Sequence, residues 1–290
     1  MTGARLWFQG ARPKTLGAAL SPVLVGTAVA SRYGELVWWR AGTALAVAVA
    51  LQVGVNYAND YSDGVRGVDT AARRGPVRLT ASGLATPAAV KRAAVTALAV
   101  AAVLGIVLAV AVDWRLLVVG AASVAAAALY SGGPKPYASA GLGEVMVLVF
   151  FGFVATCGSA FVHLGRVPWL AVAAAVPVGL AATAILLVNN LRDVPTDEAA
   201  GKRTLAVRIG APATRRLYGG AVLVAAAFPA ALVGVTPLAL VALVVAPAAW
   251  SLASTVARAD DAPTLVGALV GTARFQLAQS VLLAGALWAG

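Results

Sequence analysis

Nine stretches of mostly apolar residues follow one another along a chain of 290 residues, at about 14–31, 40–58, 88–112, 114–131, 141–163, 168–190, 213–234, 236–256 and 267–289. Roughly 20 such residues in a helix cross the hydrocarbon core of a bilayer. The chain is 61% hydrophobic and only 11% charged, whereas a soluble domain carries about a quarter charged residues. The pattern predicts an all-α, multi-pass membrane protein with nine transmembrane helices.

The net charge of +11 does not point to nucleic acid, because the basic residues form no soluble basic domain and sit between the spans. Their placement reports topology instead. With nine alternating spans, the side holding the N-terminus receives most of them, among others Arg5, Arg12, Lys14, Arg66, Arg78, Lys91, Lys135, Lys202, Arg203 and Arg215. The other side receives only Arg32, Arg40, Arg115 and Arg166. Positive charge accumulates on the cytoplasmic side, so the N-terminus and the long loops are expected there. The single cysteine, Cys157, excludes an internal disulfide, and the first apolar run lacks an A-x-A-like cleavage site and is read as a retained helix. His163, the only histidine, falls on the far side and is expected to play no part in catalysis. Trp38, Trp39, Trp114 and Trp169 lie near span ends, as an interfacial aromatic belt requires.

Two loops on the basic side are long, about 59–87 and 191–212, and they hold Asp60, Asp63, Asp69, Asp193, Asp197 and Glu198. Asn56 and Asp60 recur as Asn189 and Asp193, each pair closing an even-numbered span. The echo suggests a single transmembrane domain over 1–290 made of four-helix halves, 14–131 and 141–256, plus a ninth helix at 267–289. The abundant Ala, Gly and Val elsewhere are read as helix packing.

The segment NYANDYSDG sets Asn56, Asn59, Asp60 and Asp63 at i, i+3, i+4 and i+7, one face of a helix. NNLRDVPTD sets Asn189, Asp193 and Asp197 four apart. Amide and carboxylate oxygens without a nearby histidine or thiol suit a hard cation such as Mg2+, which takes one or two carboxylates and completes its shell with water and phosphate oxygens. Two acidic clusters amid basic residues therefore read as a diphosphate clamp, with Lys135, Arg78, Lys202 or Arg203 meeting phosphate oxygens. Arg66, Asn189 and Asn190 flank the clusters and join the candidate substrate contacts. Solvated loop caps are the plain alternative, but ionisable groups at membrane depth are costly and usually functional. DYSDG also matches the opening of the CDP-alcohol phosphotransferase pattern, which then fails because only Asp69 follows. A transporter is a second alternative, although its ionisable groups belong near mid-span; a structural membrane scaffold is a third.

With ARPKTLGAALSPVLVGT at 11–27, NYANDYSDGVRGVD at 56–69, GPVRLTASG at 75–83, YSGGPKPYASAGLGE at 130–144 and NNLRDVPTDEAAGKRTLAVRIG at 189–210, the chain resembles the UbiA superfamily of intramembrane aromatic prenyltransferases, most closely its menaquinone branch. The resemblance implies nine helices around a central cavity that opens sideways to lipid. It implies that Asp60 and Asp63 ligate one Mg2+ and that Asp193 and Asp197 ligate another, both on the diphosphate of a polyprenyl donor. The family's first motif fits Asn59, Asp60 and Asp63, and its last aspartate fits Asp69 with a longer spacing; its Tyr and Lys after the fourth helix fit Tyr130 and Lys135. The implied reaction transfers the polyprenyl group to 1,4-dihydroxy-2-naphthoate with loss of CO2, giving demethylmenaquinone. Another aromatic acceptor, such as 4-hydroxybenzoate, is the alternative. Arg12 and Lys14 are the expected receivers of the acceptor's carboxylate, and Glu144 a buried partner for Lys135 or Arg192.

Overall fold

The computed structural model describes residues 3–68 and 78–290, so Asp69 lies outside the described residues. All regular elements among them are helical. A short helix α1 (Gly3–Gly10) precedes α2 (Gly17–Ser31), and the two meet at a bend of 53°. Then come α3 (Trp38–Val65), α4 (Pro87–Ala111) and α5 (Arg115–Leu129). The next span runs through α6 (Gly143–Val147), a π-helical stretch at Leu148–Val154 and α7 (Ala155–Leu164). The chain continues with α8 (Trp169–Ala199), α9 (Leu205–Ala227), α10 (Ala246–Arg258), which is preceded by a 3-10 stretch at Pro237–Val245, and α11 (Ala262–Ala289). Among the described residues, 6 helices are long and apolar enough to cross a membrane, or up to 7 with the bent pair as one span. Every apolar run read from the sequence falls on helix, but α5 is short and α9 is broken at Gly210, whose φ of 77° and ψ of 163° are non-helical. The chain is thus a multi-pass membrane protein.

Most long helices expose apolar side chains outward, as lipid permits. The exception is α8, of whose most apolar window 67% is buried. It forms the central post: Ala181, Ala184, Leu187 and Val188 pack with Val222 and Ala225 of α9 and with Leu269 and Ala273 of α11. Higher up the same post, Ala171, Ala174 and Val178 meet Val25 and Val29 of α2 and Leu283 of α11. Small residues permit this closeness. A Cβ added to Gly152, in the π-helical stretch, would lie 2.7 Å from the Gly179 Cα of α8, so those two backbones touch.

The four basic residues on the sparsely charged side all have local partners. Arg32 donates to the Leu287 and Val235 carbonyls, and Arg40 to those of Val162 and Ala111. The carbonyls at helix C-termini lack intrahelical donors, and an arginine there satisfies them and complements the helix dipole. Arg115 lies 3.9 Å from Asp113, and the Arg166 guanidinium sits 5.4 Å from the Tyr33 ring. His163 accepts at Nδ1 from the Val37 N–H at 3.1 Å, a structural tie between α7 and the entry to α3.

Candidate active site

The last three turns of α3 leave apolar surroundings with Asn56, Asn59, Asp60 and Asp63 all buried. The face predicted from their spacing exists, and each side chain on it has a different partner. Asn56 donates to the Ala11 carbonyl at 2.9 Å, and Tyr57 beside it donates to the Trp7 carbonyl at 2.7 Å. These two bonds pin the α1–α2 bend to α3. At that bend Arg12 takes a left-handed conformation with φ 58°, the only such non-glycine among the described residues. Asn59 accepts at Oδ1 from the Ser131 hydroxyl at 2.9 Å.

Asp60 accepts two backbone N–H groups from the returning loop, Leu79 at 2.8 Å and Thr80 at 2.9 Å. The loop comes this close because residue 64 is glycine: a Cβ there would fall 2.6 Å from Thr80 Cβ. Asp63 meets Lys202 at 3.0 Å, and the same Nζ stands 4.0 Å from Asp197 of α8. Lys202 thus bridges the two acidic clusters, which the sequence had placed on separate loops.

On α8, Asn190, Arg192, Asp193 and Asp197 are buried. Arg192 grips Asp193 with both edges of one fork, Nε to Oδ1 at 2.8 Å and Nη2 to Oδ2 at 2.7 Å, and Nη2 also reaches Asn189 Oδ1 at 3.0 Å. Asn190 donates to Glu144 Oε1 at 2.9 Å. Glu144 is therefore buried as expected, but its partner is Asn190 rather than Lys135 or Arg192.

Below these groups lies a cavity of about 890 Å3. Arg12, Lys14, Asn56, Asn59, Arg78, Tyr130, Asn189 and Arg192 border its polar end. Its remaining wall is apolar and reaches Leu108, Leu116 and Val162. Tyr137 stands edge-on to Tyr130 with centroids 5.5 Å apart and donates to the Ala126 carbonyl at 2.9 Å. Burial pushes its phenol up to about 12, so it remains a donor at neutral pH.

Lys135, Arg66 and Arg203 are exposed and do not border the cavity. Arg66 donates instead to the Gly133 carbonyl, tying the end of α3 to the loop that carries Lys135. Ser131, Tyr137, Arg192 and the Leu79 and Thr80 amides were not among the sequence candidates. Arg192 lies within NNLRD, Leu79 and Thr80 within GPVRLTASG, and Ser131 and Tyr137 within YSGGPKPYASAGLGE, so the motifs marked these segments, but the contacts themselves cross distances in sequence that spacing does not reveal.

Among the described residues no three His, Cys, Asp or Glu side chains converge on one point. The carboxylates come in twos, Asp60 with Asp63 and Asp193 with Asp197. That donor set is wrong for an all-protein cage and right for Mg2+, which uses one or two carboxylates and fills its shell with water and phosphate oxygens. A lysine ammonium already drawn between the clusters marks the same place as one of negative potential.

A sequence model of the UbiA prenyltransferase family matches residues 19–287. A 1,4-dihydroxy-2-naphthoate octaprenyltransferase of Mycobacterium tuberculosis is 48% identical over 281 residues, covering 97% of this chain and 96% of that protein. The protein of the same description from Escherichia coli is 37% identical over 225 residues, 73% of this chain and 71% of its own. Among solved structures, a UbiA homolog from Aeropyrum pernix superposes with a TM-score of 0.70 at 17% identity, over 96% of this chain and 98% of that one. A UbiA homolog from Archaeoglobus fulgidus bound to GPP and Mg2+ gives 0.64 at 14% identity, over 96% and 99%.

Proposed function

From membership of the UbiA prenyltransferase family, to which this chain belongs, we propose that it transfers a polyprenyl group from polyprenyl diphosphate to 1,4-dihydroxy-2-naphthoate, with loss of CO2, in menaquinone biosynthesis. The observation that carries the reading is the pairing of two buried carboxylate clusters, joined through Lys202, on the same helix ends whose Asn59, Asn189 and Arg192 border the polar end of a largely apolar cavity. The names of the relatives support the acceptor, and the solved complex with GPP and Mg2+ supports the donor and the metal.

In this reading Asp60 and Asp63 hold one Mg2+ and Asp193 and Asp197 another, with Asp69 an additional candidate ligand. Bound there, the metal supplies positive charge against the diphosphate as the allylic C–O bond breaks. The protein's own groups do the rest. Lys202 and Arg78 contact phosphate oxygens, with Lys135, Arg203 and Arg66 as outer basic groups that draw the anion in from the cytoplasm. The Leu79 and Thr80 amides aim Asp60 through two hydrogen bonds. The apolar wall excludes water from the allylic cation, and the ring of the acceptor attacks it. Arg12 and Lys14, at the cavity's polar end, attract the acceptor's carboxylate into it. Asn189 and Asn190 position it, and Tyr130 faces it. Nine spans arranged as two four-helix halves and a final helix, with N-terminus and active-site loops cytoplasmic, complete the proposal.

The test gives purified protein in lipid a labelled polyprenyl diphosphate with Mg2+, offering dihydroxynaphthoate and 4-hydroxybenzoate in parallel. Product from dihydroxynaphthoate alone, abolished by EDTA, is the expected result. Product from 4-hydroxybenzoate alone would move the acceptor assignment, and flux across vesicles without covalent product would replace an enzyme by a transporter.

A further inference from the structure

Arg192 borders the cavity with its guanidinium plane fixed on two edges. Nε and Nη2 are committed to Asp193, and Nη2 also to Asn189. Its side chain retains only 2% exposure, and the third nitrogen, Nη1, is buried without a hydrogen-bond acceptor. A buried donor with no partner is costly, and a charged one more so. A group so placed beside a cavity is completed by an oxygen that the protein does not supply.

The position of that oxygen separates it from the diphosphate. Helical side chains lean toward the N-terminus of their helix, and the bond to Asn189 shows Arg192 leaning that way, toward the interior end of α8. The Lys202 bridge between Asp63 and Asp197, where the diphosphate belongs, lies at the opposite, outer end. On α8, from Arg192 toward the helix N-terminus, the cavity is bordered by Asn189, Leu186 and Ile185, and Tyr130 borders the same cavity, so its walls offer two aliphatic surfaces, an amide and an aromatic ring. A flat aromatic acid fits such walls, and a hydrated diphosphate does not.

Resting on the prenyl-transfer reading above, we infer that Arg192 is a specificity-determining residue whose Nη1 binds the carboxylate of the aromatic acceptor. Because the other face of the same guanidinium holds Asp193, the acceptor is seated next to the carboxylates that receive the donor. Any cation that Asp193 binds takes up part of its negative charge, and the guanidinium then attracts the acceptor more strongly. Donor and acceptor binding are coupled in this way through one side chain.

The experiment compares the wild-type protein with Arg192→Lys and Arg192→Gln, after thermal melts in detergent show that each is folded. Steady-state KM is measured for dihydroxynaphthoate and for geranyl diphosphate, and Ki for naphthalene-1,4-diol, which keeps the ring and lacks the carboxylate. Binding of dihydroxynaphthoate without donor is measured by fluorescence titration. In both variants the acceptor KM and its dissociation constant are expected to rise about tenfold or more, as for any lost charge-assisted contact. The Ki of the diol is expected to stay within about twofold, and the KM of the donor to rise by less than the acceptor KM does. A rise in the Mg2+ requirement or in donor KM with acceptor binding unchanged overturns the inference, since Arg192 would then act through Asp193 alone. Equal weakening of the acid and the diol overturns it too. No turnover by the wild-type protein with either acceptor would be a failure of prenyl transfer itself, and the titration would still report on Arg192.

Discussion

Asn56 donates to the Ala11 carbonyl and Asp60 accepts from two backbone N–H groups, although the two residues stand one turn apart on the same face of α3. The difference predicts different phenotypes. Asp60→Asn places an amide where two N–H donors already point, and it removes a charge from the diphosphate site. Turnover is expected to fall by about a hundredfold or more, the range for losing a preorganised electrostatic group, with the deficit read from an Mg2+ titration of kcat. Asn56→Ala removes a tie on the α1–α2 bend and leaves all carboxylates in place. It is expected to raise the acceptor KM several-fold through Arg12 while the Mg2+ requirement stays put, and a shifted Mg2+ requirement would return Asn56 to the ligand set. The acids themselves were legible in the sequence because a helix converts local spacing into a shared face. Their partners were not, since Ser131, Leu79 and Lys202 reach them only through the tertiary fold.

Proline and arginine punctuate the helices, and buried side chains repair what they leave open. Pro229 has no N–H for the Ala225 carbonyl four residues back, and Gln279 of α11 donates to that carbonyl at 2.5 Å. Gln279→Leu strands a buried acceptor, which costs about 1–3 kcal/mol. A lower thermal midpoint in detergent with unchanged KM values is the expected outcome, and an unchanged midpoint would mean that Ala225 finds another donor. Arg40→Met frees the Val162 and Ala111 carbonyls together. It should destabilise the α4 and α7 ends, read as faster amide hydrogen exchange there, and leave the Mg2+ requirement untouched. The helices were readable from their apolar runs because length and hydropathy suffice for a span. The π-helical stretch at Leu148–Val154 was not, because hydropathy does not register how a span is wound, and neither were the helical ends of the 191–212 loop, up to Ala199 and from Leu205, because they are polar.

The shape of the whole molecule is set by which helices touch and which leave a gap, and its glycines record both. Gly152 and Gly179 mark a contact in which a side chain would strike backbone. Gly105 of α4, Gly120 of α5 and Gly158 of α7 border the cavity, and an added Cβ on any of them would meet nothing within 4 Å. A glycine inside a helix costs about 1 kcal/mol relative to alanine, so three such positions around one void keep space at the expense of helix stability. They lie on three helices along the apolar wall, away from the polar end with Arg12 and Asn56. A tail lying along that wall passes them only if it is long. Gly120→Phe is therefore expected to lower kcat/KM for octaprenyl diphosphate by about tenfold, in the range for a misplaced or excluded substrate segment, and to leave geranyl diphosphate nearly unaffected. Competition between the two donors in a single reaction reads the ratio directly. A ratio equal to that of the wild type would mean that the tail leaves the site by another route, and that these glycines serve helix mobility rather than the passage of the chain.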